Sequence, residues 1–213
     1  GFALRKLFFS NGSPFARRVR IVLEEKALGY DQDIFDALRP IDQIKEITPT
    51  LQVLVLQDAG RTLWSSDLII AYLFENYPKC CSRDMERPLA STVYRPTFRW
   101  EDQLLLETIS TLADSMVNLR QMRSGLNDPK LTYLERQVYR IKTCLDWLEE
   151  RVTPSGFWPG TFSVMDISLL CPLLFAENRD VFQYRDGKWP KIVEMIDVLQ
   201  KRKSVIATEI NQR

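Results

Sequence analysis

The chain has 213 residues, 45% of them hydrophobic, enough for one large domain or two small ones with apolar cores. Its 29 Lys and Arg balance 28 Asp and Glu for a net charge of +1, which removes any electrostatic case for nucleic acid or an anionic membrane surface. Histidine is absent, and with it Ser-His and Cys-His nucleophile pairs, histidine acid–base chemistry and most familiar zinc sites.

The opening GFALRKLFF carries neither the long apolar core nor the cleavage site of a signal peptide, and no apolar run approaches the roughly 18 residues that cross a bilayer. A cytoplasmic protein is therefore expected, with Gly1 read as a trimmed start. Residues 4–9 (LRKLFF) read as a short strand that NGS breaks. Pro14, preceded by Ser13, then opens a helix to about Leu28, Pro being suited to the first helical position. YDQDIF (30–35) is a second strand, followed by a short helix near 41–47 that Thr48-Pro49 stops.

QVLVL and RTLW flank Asp58-Ala59-Gly60 and predict an antiparallel hairpin. From Ser66 the period becomes helical, with Leu68, Ile69, Tyr72 and Leu73 on one face until Pro78. Ser65-Ser66-Asp67 at that helix start suits either a bound anion or amino acid, or a plain helix cap. The first 78 residues thus read βαβαββα, a small α/β domain.

Beyond a polar link at 79–88, strand signals vanish and 89–213 reads as all-helical. Leu105, Ile109, Leu112, Met116 and Leu119 recur at helical steps, as do Leu134, Val138, Ile141, Leu145, Leu148 and Val152. These two helices are expected to pack antiparallel across SGLNDPK (124–130). SVMDISLLCPLLFA (163–176) is nearly continuously apolar and predicts a buried central helix, opened by a capping box of Ser163 and Asp166. Cys80, Cys81, Cys144 and Cys171 form no C-x-x-C pair and no metal-ligand spacing, so free thiols and no metal are expected.

Taken in order, SPFARRVRIVLEEKAL (13–28), LWSSDLIIAYL (63–73), FSVMDISLL (162–170) and KRKSVIAT (201–208) resemble four successive motifs of the cytosolic glutathione transferases. The resemblance covers nearly the whole chain. It implies a thioredoxin-like domain followed by an all-helical domain, glutathione as co-substrate, a small hydrophobic electrophile as second substrate, and a homodimer.

In serine-type members the hydroxyl before the Pro donates a hydrogen bond to the glutathione sulfur, a role that falls here on Ser13, with Ser10 as the rival. Lowering a thiol pKa from ~8.5 by about two units takes roughly 2.7 kcal/mol of anion stabilisation. A hydroxyl hydrogen bond and the positive end of the helix at Pro14 are of that order. The reading from residue type alone is that Ser13 caps the helix.

By the same resemblance Ser66 binds the γ-glutamyl carboxylate, and Phe15, Gln52, Val53 and Ser65 complete the glutathione site. Two departures stand out. Ser65 occupies a position where many members carry Glu or Gln, leaving Asp67 either to compensate or only to favour the helix dipole. Leu54 replaces a Pro that is usually cis; before Leu a cis bond costs about 2.5–4 kcal/mol, so it is either held by the fold or trans, which would weaken glutathione binding by roughly 1–3 kcal/mol.

The second substrate is expected against the first long helix of the second domain, with Tyr94, Phe98, Trp100 and Met116 as candidates. The same residues at such spacing also suit a core. A non-catalytic protein of this fold, resembling the stringent starvation proteins, is the alternative function. Arg17, Arg18 and Arg20 would then offer a basic face to a partner, or else lie on a solvated helix side with one arginine buried.

Overall fold

The computed structural model describes residues 5–35, 39–79, 87–123 and 131–210. Cys80, Cys81, most of the 79–88 link and the 124–130 turn lie outside them. The first half runs β1 (Lys6–Phe9), α1 (Pro14–Glu25), β2 (Asp31–Ile34), α2 (Ile41–Lys45), β3 (Leu54–Asp58), β4 (Arg61–Trp64) and α3 (Ser66–Asn76). The second half, after a 3-10 turn at Pro96–Phe98, comprises α4 (Arg99–Arg123), α5 (Leu131–Glu149), α6 (Val164–Asn178), α7 (Pro190–Leu199) and α8 (Lys203–Ile206).

The sheet has the order β2-β1-β3-β4, with β1 parallel to β2 and the other pairs antiparallel. Its period-2 alternation sorts residues between two faces. Leu7, Phe9, Leu54 and Leu56 join the main core, whereas Phe8, Val55 and Phe35 form a smaller cluster with Ile44 and Val53. The expected hairpin forms through Val55↔Trp64 and Asp58↔Arg61, and Gly60 takes φ +77 in its turn.

α6 is buried from Val164 to Ala176 and forms the spine of the helical half, as its unbroken apolar run predicts. Its capping box is complete, because Ser163 Oγ accepts from the Asp166 N–H while Asp166 accepts from the Ser163 N–H at 3.0 Å. α1 packs against α6, α3 and α8, so one apolar core runs from the sheet through both halves. α7 lies outside the motifs read from the sequence, yet Ile192, Met195, Ile196 and Leu199 are buried at helical spacing behind Pro190.

The arginines of α1 depart from both expectations. Arg17, Arg18 and Arg20 are all buried, at 4%, 5% and 6% exposure, so they form neither a basic face nor a solvated side. Each guanidinium instead finds oxygen on another element. Arg17 donates to the Val205 carbonyl at 3.1 Å, Arg20 to the Thr208 carbonyl, and Arg18 to α3.

Candidate functional site

Strand pairing brings the candidate residues to one end of the sheet. Phe9 at the end of β1 pairs with Leu54 at the start of β3, and Trp64 at the end of β4 pairs with Val55. The Ser10–Ser13 loop, Gln52-Val53 and Ser65-Ser66 are therefore neighbours, and the N-termini of α1 and α3 open there together. Two positive helix ends at one place favour an anionic ligand.

Ser13 is the N-cap of α1, its Oγ accepting from the Ala16 N–H at 3.2 Å. Capping consumes an acceptor position and leaves the hydroxyl proton free to donate. The capping and thiolate-stabilising roles are therefore compatible on one side chain. Ser10 is exposed, and its carbonyl accepts from the Ser13 N–H at 3.0 Å, which tightens the loop. A Cβ at Gly12 in that loop would meet an Arg179 guanidinium nitrogen at 2.8 Å, so a substitution there would push that flexible side chain aside.

Ser66 is buried at the first position of α3, and its Oγ accepts from Arg18 Nη1 at 3.0 Å. The same nitrogen donates to Asp67 Oδ1 at 2.6 Å, so one buried guanidinium ties α1 to the start of α3. Ser65 is exposed, makes no capping hydrogen bond, and holds φ +75, a left-handed value that costs a non-glycine residue of order 1–3 kcal/mol. Such strain is common at binding sites, where the surrounding fold enforces it. Gln52 is exposed, with its N–H on Thr50 Oγ1 at 3.3 Å. The Val53 side chain packs under the sheet, and the Val53–Leu54 peptide is trans, as are all peptides among the described residues.

A crevice runs inward from this end between Pro14, Phe15 and Arg18 of α1, Ile109, Ser110 and Ala113 of α4, and Ser168 and Pro172 of α6. Its enclosed volume is about 10 Å³, room for one water. Most of the lining is apolar, with Arg18, Ser110 and Ser168 as its polar members. Arg18 Nε and Ser168 Oγ have no hydrogen-bond partner among the described residues, and Pro172 has no N–H to give the Ser168 carbonyl four residues back.

Of the residues expected around a second substrate, Tyr94 is partly buried and packs against the main core. Burial raises its pKa first, and the Asp67 and Glu107 carboxylates raise it further. Phe98 is 48% and Trp100 75% exposed, whereas Met116 is fully buried in the core. The α4 residues lining the crevice are therefore others. Asp114, also on α4, has its carboxyl pushed up by burial and then by the Asp67 carboxylate.

Sequence reasoning reads Arg18 as part of a basic face or a solvated helix side rather than of this site, and it passes over Asp114. Arg18 had a signal, since Ile21 falls between Arg17 and Arg18 around the helix, which is inconsistent with a solvated side. Asp114 had none, because its meaning depends on which part of α4 faces α3. Cys171 sits in α6 beside the arginines but is fully buried, and its thiol is pushed up to about 11 by that burial despite them. No group of three His, Cys, Asp or Glu among the described residues is placed to hold a metal ion. None of their helices is long and apolar enough to cross a membrane.

Comparison with known proteins agrees with this geometry. Residues 7–84 match the family described as glutathione S-transferase, N-terminal domain. A curated relative, the stringent starvation protein A homolog of Histophilus somni, is 29% identical over 104 residues, 49% of this chain and 45% of that protein. The chain thus spans about half the length of that relative. Among solved structures, a glutathione S-transferase from Methylobacillus flagellatus with glutathione bound superposes with a TM-score of 0.80 at 21% identity, covering 97% of this chain and all of that one. Ure2p in complex with glutathione superposes at 0.77 with 15% identity, covering 98% and 94%. Residues 7–84 therefore match a glutathione S-transferase N-terminal domain, and the chain has the glutathione-transferase fold.

Proposed function

We propose that this protein is a glutathione-dependent transferase that delivers the glutathione sulfur to a small hydrophobic electrophile, and that it works as a homodimer. The observation that carries the reading is the pair of serine hydroxyls at one sheet end. Each accepts a hydrogen bond from the protein, Ser13 from the Ala16 N–H and Ser66 from Arg18, so each has its proton left to give a ligand.

Ser66 and the open N–H groups of α3 would hold the γ-glutamyl carboxylate, with Phe15, Gln52, Val53 and Ser65 flanking the rest of the peptide. Ser13 would donate to the sulfur and, with the N-terminus of α1, favour its anionic form. The sulfur then bonds to the electrophilic carbon, whose leaving group departs or whose adjacent atom takes a proton. Of the expected surroundings of the electrophile, Tyr94 remains the proposed one, since Met116 is fully buried in the core and Phe98 and Trp100 are exposed away from the crevice lining. The electrophile's pocket would have to open beyond the water-sized crevice next to Phe15.

Titration calorimetry with reduced glutathione tests this reading, followed by turnover of a model electrophile. Saturable binding that weakens about tenfold or more in Ser66→Ala, with activity lost in Ser13→Ala at near-normal binding, is the expected result. No heat and no thermal shift at ~10 mM, where even a 1 mM site adds about 1.4 kcal/mol, would overturn it. That outcome would favour a second reading, a regulator binding a protein partner, which draws on the likeness to the stringent starvation protein A homolog and on the narrowness of the crevice.

A further inference from the structure

Arg18 has a place in this site that no motif assigns. It is 5% exposed, it projects from α1, and its Nη1 reaches Ser66 Oγ at 3.0 Å and Asp67 Oδ1 at 2.6 Å. A guanidinium has no acceptor, so the direction of the Ser66 bond is fixed: Arg18 donates and the serine oxygen accepts. The serine proton must then point away from Arg18, and it has no acceptor among the described residues.

We propose that Arg18 is the positioning residue of the carboxylate subsite, acting through Ser66. It locks the Ser66 hydroxyl with its proton outward and places a buried positive charge behind the oxygen, which strengthens the hydrogen bond that Ser66 gives a carboxylate. The proposal rests on the glutathione reading above and deepens it. With Ser65 short and uncharged, selectivity for the α-carboxylate passes to the Arg18–Ser66 pair. Asp67 pairs with the guanidinium at 2.6 Å and holds it in place, its own side chain being 62% exposed to screening water.

The test compares glutathione with cysteinylglycine, which lacks the γ-glutamyl group, in the wild type, Arg18→Met, Ser66→Ala and the double variant. The wild type is expected to prefer glutathione by at least tenfold, and Arg18→Met to lose most of that preference, with Arg18→Lys restoring part of it. Because Arg18 acts through Ser66, the double variant should be no worse than Ser66→Ala alone. An arginine that served only to fasten α1 to α3 would lower the melting temperature and leave the preference unchanged, and that result overturns the proposal. So would losses that multiply in the double variant.

Should Arg18→Met not fold, a crystal structure of the wild type with glutathione decides. The α-carboxylate is expected within about 3 Å of Ser66 Oγ, with Arg18 on the far side of that oxygen. A carboxylate bound directly to Arg18, or away from Ser66, overturns the proposal. A wild type that binds neither ligand overturns the glutathione reading and this inference together, whereas retained preference in Arg18→Met overturns this inference alone.

Discussion

Replacing Glu25 by Ala would remove the acceptor for three donors at the last turn of α1. Glu25 is 5% exposed and accepts from Arg202 Nε, from Arg202 Nη2 at 2.9 Å and from Ser204 Oγ at 2.7 Å. Without the carboxylate, Arg202 keeps its bond to the Arg87 carbonyl at 2.9 Å and its stacking on Phe162, but its charge stays in a side chain only 7% exposed. Removing one member of a buried pair costs up to about 3–5 kcal/mol. At about 2–4 °C per kcal/mol for a chain of this size, the melting temperature should fall by up to roughly 6–20 °C.

Removing both charges, as in Glu25→Leu with Arg202→Met, should recover most of that loss, because the two buried charges are then removed together. Urea denaturation followed by tryptophan fluorescence reads both quantities. A loss below about 1 kcal/mol in Glu25→Ala would refute the reasoning, since it would mean that water solvates the pair. A double variant as unstable as the single one would do the same.

Gly156→Ala should destabilise by about 2–4 kcal/mol in the same assay, because Gly156 holds φ +114 and an added Cβ would lie 2.6 Å from Asp166 Oδ1, the carboxylate that caps α6. Asp114 has its folded-state pKa raised by burial and Asp67, so the stability linked to it is present below the unfolded pKa and is lost as pH rises through the folded one. Asp114→Asn should therefore raise the melting temperature near pH 7 and leave it unchanged at about pH 3; a gain that persists in acid would refute this. Cys171 should resist alkylation in the native protein at neutral pH and react once unfolded, read by peptide mass mapping, since it is fully buried with its thiol pushed up to about 11.

Features that depend on local pattern were legible in the sequence. The alternation through β3, the turn at Asp58–Gly60, the Ser163–Asp166 capping box and the apolar run of α6 all follow from residues within a few positions of one another. The Ile192, Met195, Ile196, Leu199 spacing of α7 was equally readable but belongs to none of the motifs that guided the reading. The arginines of α1 were different, because what buries a guanidinium is a carbonyl or carboxylate supplied from afar. Val205 and Thr208 lie 188 residues along the chain from Arg17 and Arg20, and no local pattern shows that they return.

The site divides along the same line. Ser13 and Ser66 could be named because each starts a helix within a stretch that resembles a glutathione-transferase motif, whereas the direction of the Ser66 proton depends on Arg18 arriving from another element. The lining of the crevice depends on the rotation of α4 about its axis, which brings Ile109, Ser110 and Ala113 inward and turns Trp100 outward.

The burial of α1 on nearly every side bears on how the molecule comes apart. In chain order α1 belongs to the first half, but its polar bonds run to α3, α8 and the segment after α8, and it also packs on α6. A fragment ending near Pro78 would leave Arg17, Arg20 and Glu25 without these partners and expose the side of α1 that packs on α6. Melting should therefore give one calorimetric transition rather than two, and limited proteolysis should yield no stable fragment containing the sheet alone.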